Sequence, residues 1–550
     1  MGTAVFVTRT AASALLLLLG VPWLATVALA LGALWDAAAW HALWHDPHAW
    51  PALALTLWTG LASTALAWGL SAALLAQGFV RQSLGRLLRG LPVMLATPHA
   101  AFAIGLVFLL SPSGWVLRAL SPWLTGLDWP PPWPTTQDPW GLGLILALTV
   151  KEIPFLLWTA ATQLQRDDVR QQWQREHALA QTLGYSPQRA FWRVVWPPLS
   201  TRLVWPLLAV LAYGLTVVDM ALVIGPASPP TLAVLAWQWL QDADPATNAQ
   251  GAVAGGLLAL VVLAAALGWR AAQAVWAHSR YALNGVRGSP RAHGLTPQRQ
   301  GLPTGYRLLA VLYGAVLLAL AVGSVAGVWP FPQVWPDVLT GQAWRSVWDS
   351  RDTVLTTLGL ALASAALALA WSVAWLELAP RPWDAALRPL LYLPLVLPAV
   401  LWVVGLYRLA LWAHLEGQWL GLLLAHTSWV LPYVLLTLSP AYLGFDARCA
   451  ALSASLGHGP WRFLWCVKWP LLRRALASSA AVGFAVSVAQ YLPTLYVGAG
   501  RFNSVTTEAV HLAAGAQRSL TSAYAGLQWI LPVLAFALAH WLGRPRRFQT

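Results

Sequence analysis

Charged residues are scarce in this chain, so those that interrupt its apolar runs carry the most information. Lys151 and Glu152 are adjacent inside the run 139–161 and are followed at once by Ile153 and Pro154. A charge at bilayer depth is costly unless it is paired or faces a polar cavity. Three readings stay open for the pair: a place on a path or gate, an internal ion pair that only holds helices, or an interfacial position at a misplaced helix end. Asp219 interrupts a second run, LTVVDMALVIG, and Gln490 with Tyr491 interrupts a third, VAQYLPTLYVG. A carboxylate with aromatic neighbours suits a cationic, ring-containing solute through charge and cation–π attraction. Hydrogen bonding between helices is the competing reading. Arg408, in a fourth run, is a partner for Asp219 or a side chain reaching back to an interface.

Other chemistry is excluded by what surrounds the reactive groups. The chain has two lysines, Lys151 followed by Glu152 and Lys468 followed by Trp469. Neither stands in the Gly-rich turn before Ser or Thr that a phosphate-binding loop needs, so this chain is not itself a P-loop ATPase. His41, His45 and His48 share a short connection with Asp36 and Asp46. Their spacing brings two imidazoles onto one helical turn, but Pro47 and Pro51 disturb that helix and favour a solvated loop over a metal contact. Cys449 and Cys466 lack the spacing and companions of a metal site or a disulfide framework, and read as thiols on a reducing side. No nucleophile, base and orienting group can be grouped by position.

The elements that must place these residues are membrane helices. The chain is 58% hydrophobic and 9% charged, and its apolar runs repeatedly exceed the ~18 residues that cross a bilayer. Twelve helices are expected, six per half, near 11–35, 52–78, 91–111, 139–161, 202–225 and 251–276, then 306–329, 352–375, 389–411, 417–438, 475–498 and 522–543. The first run reads as a retained helix and not as a cleaved signal. With the N-terminus inside, most of the 33 Lys and Arg fall in cytoplasmic connections, and most of the 19 acidic residues fall opposite. That sorting follows the positive-inside rule and places both termini in the cytoplasm. The net charge of +14 is spread over short connections and forms no patch for nucleic acid. Outside, Ser111–Asp138 is rich in Pro and Trp and reads as a stiff segment at the lipid surface or against a receptor, whereas its counterpart is only 412–418.

Two of the cytoplasmic connections repeat each other. Ala178 to Leu199, ALAQTLGYSPQRAFWRVVWPPL, aligns without a gap on Ala451 to Leu472, ALSASLGHGPWRFLWCVKWPLL, at an offset of 273 and with 11 of 22 positions identical. Such a repeat makes the chain two related helical bundles. In the first copy Ala178, Leu179 and Leu183 line one side of a short helix, and Gly184 allows a sharp turn. Pro187 suits the start of a second helix with Ser186 as a cap, Trp192 and Trp196 stand one turn apart, and Pro197 closes the segment. Ala451, Leu456, Gly457, Pro460, Trp465, Trp469 and Pro470 repeat the plan, with Gly459 in place of the serine. A helix, glycine turn and helix projecting from a membrane bundle is shaped to dock another protein. The chain divides accordingly into a first unit 1–278, a polar linker 279–303 and a second unit 304–550.

These segments resemble the cytoplasmic coupling loops of ABC importer permeases, with Gly184 and Gly457 on the motif's glycine and Pro197 and Pro470 on its terminal proline. The acidic residue that often opens the motif is replaced by Ala178 and Ala451. The resemblance covers nearly the whole chain and is closest to fused, two-domain permeases of the iron(III), polyamine and thiamine class, Val488 to Arg501 being similar to the thiamine-type members. It implies an all-α polytopic bacterial inner-membrane protein with two tandem six-helix units. The implied partners are two ATPase subunits, a periplasmic solute-binding protein and membrane lipid. ATP and magnesium would be used by those ATPases, with no cofactor bound here. The fifth helix of each unit lines the central path in such permeases, which implies solute-facing roles for Asp219, Gln490 and Tyr491. Thiamine or a related organic cation is the preferred solute, with iron(III) and polyamines next. A transporter driven by an ion gradient is the alternative of another class, although paired docking modules would then have no purpose.

Overall fold

The computed structural model describes residues 2–283, 301–515 and 517–544. Among them the regular structure is helical apart from one isolated β-bridge, Ala326 to Leu339. Ten helices are long and apolar enough to cross a membrane, and twelve if two bent pairs each count as one span. The bent pairs are Pro187–Arg202 with Val204–Thr216, at 64°, and Arg381–Val396 with Ala399–Trp412, at 99°. Each expected span is matched by one of these elements, so the molecule is an all-α multi-pass membrane protein.

Where spans break, the cause is local. Thr97 and Leu397 each precede a proline, and both take extended backbone, ψ 118° and 144°. Proline disfavours the helical region for the residue before it. The expected span 91–111 therefore stops at Ala96 and restarts at His99, and its counterpart restarts at Ala399. The fifth spans also break. The helix Val204–Thr216 ends at the extended Val217 and a short helix Asp219–Ile224 follows. In the second half Ala489 to Tyr491 separate the long helix ending at Val488 from Leu492–Gly498.

The compact units do not follow the division at 279–303. One unit joins Met1–Asp36 to Thr340–Thr550, and the other is Ala37–Leu339. The first span thus packs on the second half. Trp23 meets Trp402 edge-on with ring centroids 5.9 Å apart, and Trp371 Nε1 donates to the Leu15 carbonyl. A Cβ on Gly405 would lie 2.0 Å from the Thr26 carbonyl oxygen. Reciprocally, Thr304–Gly323 packs on the first half, where a Cβ on Gly105 would meet Val316 at 2.7 Å and Tyr306 donates to the Leu87 carbonyl. Gly105 and Gly405 are 300 residues apart, as are Pro98 and Pro398. The same glycine in each third span lets the incoming first span approach backbone to backbone, as small residues do in membrane interfaces. Residues 284–300 of the expected linker lie outside the described residues, and the preceding helix runs on to Leu283.

The segment 111–138 is tied down along its length: Trp115 Nε1 donates to the Val334 carbonyl at 2.8 Å and Gln137 N–H to the Ile224 carbonyl at 3.1 Å. Arg118 is buried, and its guanidinium donates to the carbonyls of Ser113, Trp329, Pro330 and Gln333 at 2.7–3.0 Å while covering the Trp329 ring. At its end Asp138 accepts from the backbone N–H groups of Trp140, Leu142 and Gly143, capping the fourth span, Leu142–Leu164. A carboxylate there satisfies donors that a helix start leaves open.

Candidate functional site

The repeated loops fold alike. In the first, the helix Asp167–Thr182 ends at Gly184 with φ +90°; in the second, Arg448–Ser455 ends at Gly457 with φ +77°. The bonds beyond each end match. Gly184 N–H donates to Gln181 and Tyr185 N–H to Ala180, while Gly457 N–H donates to Ala454 and His458 N–H to Ser453. This double return of N–H groups to the last turn is the Schellman cap, which needs a left-handed residue and so favours glycine. A short helix follows, Pro187–Ala190 or Pro460–Phe463, with Arg189 N–H donating to Ser186 Oγ at 3.4 Å in the first copy only.

A wide turn comes next in both copies, Phe191–Val195 and Leu464–Lys468, in which Trp196 N–H reaches the Phe191 carbonyl and Trp469 N–H that of Leu464. Such π-turns insert one residue into a helix and cluster at functional sites. Pro197 and Pro470 do not close the segment as the sequence suggests. They sit in the first turn of the continuing helices Trp196–Arg202 and Trp469–Val488, where a missing N–H costs nothing. The tryptophans expected one turn apart meet edge-on, Trp192 with Trp196 at 5.3 Å and Trp465 with Trp469 at 4.5 Å.

What these loops present outward is apolar. Leu179 and Leu183 are 62% and 67% exposed, and their equivalents Leu452 and Leu456 are 64% and 67% exposed. Trp192, Trp461 and Trp465 add exposed rings, and Ala178 and Ala451 are exposed beside the leucines. The anchoring of the two modules differs. His177, missed in the sequence, bonds through Nε2 to the Pro187 carbonyl at 2.9 Å and through Nδ1 to Gln181, with its ring edge-on to Phe79. Its equivalent is Ala450. The second module is instead held by Lys468, whose ammonium lies 2.6 Å from Glu377 Oε2 and 4.1 Å from the Tyr442 ring centroid.

The intramembrane polar residues fall into two sets, one in each unit. In the unit Ala37–Leu339, Lys151 and Glu152 turn to different partners: Lys151 Nζ donates to the Met94 carbonyl at 3.3 Å, and Glu152 Oε1 lies 3.4 Å from His99 Nε2. The His99 ring rests 4.6 Å from that of Tyr213, whose hydroxyl donates to Asp219 Oδ1 at 3.5 Å. Glu152, His99, Tyr213 and Asp219 therefore form a chain across the breaks at Pro98 and Val217–Val218. His99 and Tyr213 were not singled out by sequence reasoning, although a histidine directly after a proline inside an apolar run was a usable signal. Arg408, which belongs to the other unit, donates to the Leu29 carbonyl at 3.4 Å.

In the other unit, Gln490 Nε2 donates to the His426 carbonyl at 3.1 Å, and His426 bonds Ser487 and Thr494 through its two ring nitrogens, each at 2.9 Å. Gln490 Oε1 is buried and has no donor among the described residues. Tyr491 stacks edge-on with His511 at 5.8 Å. Elsewhere, His41 and His45 stack at 4.1 Å, yet no group of three or more metal-ligating side chains occurs among the described residues. Cys449 and Cys466 are free thiols.

No protein-family profile matches the chain. It is 34% identical over 519 residues, 92% of both chains, to the inner membrane ABC transporter permease protein YnjC of Escherichia coli strain K12. Over 229 residues, 38% of this chain and 41% of the relative, it is 27% identical to the thiamine transport system permease protein ThiP of Salmonella typhimurium. Over 208 residues, 35% of this chain and 76% of the relative, it is 27% identical to the molybdenum transport system permease protein ModB of Mycobacterium bovis. Helical spans throughout and a likeness that runs nearly end to end lead to one conclusion: the chain belongs to the inner membrane ABC transporter permease proteins.

Proposed function

We propose that this chain supplies both transmembrane units of an ATP-driven importer and is moved by two separate ATPase subunits docked at the modules 178–199 and 451–472. The observation that carries this reading is the pair of identically capped modules presenting exposed leucines at matching positions. Large apolar side chains held outward on a polar connection mark a protein contact. This reading takes both modules and both termini to be cytoplasmic, as the sorting of Lys and Arg along the sequence expects. ATP binding would draw the ATPases together and, through Leu179, Leu183, Leu452 and Leu456, turn the helices between inward-open and outward-open states. Solute would arrive from a periplasmic binding protein, and ATP and magnesium would act in the partner subunits.

Lys151, Glu152, Asp219, Gln490 and Tyr491 are the path residues of this reading. Two carboxylates beside aromatic rings favour an organic cation, and the similarity to a thiamine permease makes thiamine the first solute to try. The test is reconstitution with its ATPase and periplasmic binding-protein partners. Uptake of labelled thiamine should require ATP, and Leu183→Glu with Leu456→Glu should abolish both ATPase association and uptake. Uptake driven by an ion gradient without the ATPase would overturn the importer reading, while ATP-driven uptake of iron(III) or a polyamine in place of thiamine would overturn only the solute.

A further inference from the structure

Pseudo-symmetry separates what the fold needs from what one half does alone. Features that hold the bundle should recur in both halves, and the caps, wide turns, proline breaks and packing glycines do. The four-residue chain does not. Aligned through Pro98 and Pro398, His99 corresponds to Ala399; aligned through Pro154 and Pro432, Glu152 corresponds to Val430. By the offset of the repeated modules, Tyr213 and Asp219 correspond to Val486 and Leu492. All four equivalents are apolar, so the same span geometry is built without any of these groups.

The chain also has a charge and shape of its own. Its two carboxylates stand at the ends and two aromatic rings lie between them, 4.6 Å apart. It contains no Lys or Arg; the neighbouring Lys151 ammonium donates to the Met94 carbonyl and is coupled by charge to Glu152, which leaves Asp219 as the carboxylate without a lysine beside it in sequence. Glu152 is buried, but the His99 side chain is 35% exposed and Asp219 and Tyr213 are half-buried, so one side of the chain is accessible. Paired carboxylates flanking aromatic faces are the chemistry that takes a quaternary nitrogen, which has no hydrogen-bond donors and is held by charge and ring faces alone.

We infer that Glu152, His99, Tyr213 and Asp219 form a one-sided recognition site for the quaternary nitrogen of a cationic solute, with charge discrimination carried by the first half only. The inference rests on the importer reading for its physiological meaning but not for its test. The full-length chain in lipid nanodiscs, without ATPase or receptor, is titrated with radiolabelled tetramethylammonium. Saturable binding is expected, and molybdate in excess should not compete. Asp219→Asn and Glu152→Gln should each weaken binding about tenfold, whereas Val430→Ala and Leu492→Ala, at the matched positions, should hold it within about twofold. Glu152 is buried, so the less buried Asp219 decides should E152Q fail to fold. Absence of saturable binding, competition by molybdate, retention of affinity in D219N, or equal losses in the second-half variants would each overturn the site. ATP-driven uptake is measured in parallel: uptake with no tetramethylammonium binding removes this inference alone, and binding with no ATP-driven uptake removes the importer reading alone.

Discussion

Gly184 and Gly457 show how much one residue can decide. Each holds a left-handed φ at the end of a helix that must turn back on itself. For a residue with a Cβ that conformation costs roughly 1–2 kcal/mol, and no neighbouring atom within 4 Å of a Cβ on Gly457 adds to it. Gly457→Ala should therefore loosen the second module through backbone strain alone, and Gly457→Asn, which tolerates this region better, should restore much of the loss. Co-purification of the ATPase with each variant measures the effect; equal losses in both variants would point away from backbone strain. The glycines were legible in the sequence because the repeat isolated them. The chain from Glu152 to Asp219 was only half legible, since Tyr213 and His99 approach through space from two further helices and no spacing along the chain announces that.

At the scale of elements, two modules with one backbone plan are fastened by different chemistry. The first is held by the His177 bond to the Pro187 carbonyl and by contacts among Phe79, His177 and Phe191. The second is held by the Lys468–Glu377 pair, whose side chains are 13% and 30% exposed. Salt screens a partly exposed ion pair and leaves ring packing in place. Raising ionic strength should thus speed hydrogen exchange in 448–463 and leave 177–190 nearly unchanged. His177→Ala should do the reverse, at a cost of about 1–2 kcal/mol for the lost bond. Identical responses of both segments to salt would show that the ion pair does not fasten the second module. The contrast escaped the sequence because Glu377 lies 91 residues before Lys468 and nothing local links them.

For the whole molecule, the exchange of first spans has the widest consequence. The twelve spans could be counted from apolar length alone, because crossing a bilayer demands it. Which third span a first span packs against could not, since both candidates are apolar and both carry the receiving glycine. The compact unit Ala37–Leu339 lacks the first span of its own half and contains that of the other. A fragment 1–283 should then be missing the helix that fills Gly105, and a fragment 301–550 the helix that fills Gly405. Each alone should be unstable in membranes, whereas co-expression should rescue both as one co-purifying complex even without residues 284–300. Gly405→Leu should block the rescue, because any side chain there collides with the Thr26 backbone, while a leucine at Gly341, where a Cβ would meet nothing within 4 Å, should not. Protease resistance and co-purification of the two fragments provide the measurement. Full stability of either fragment alone would mean that each half can close on its own first span, and the exchange would then be dispensable to the fold.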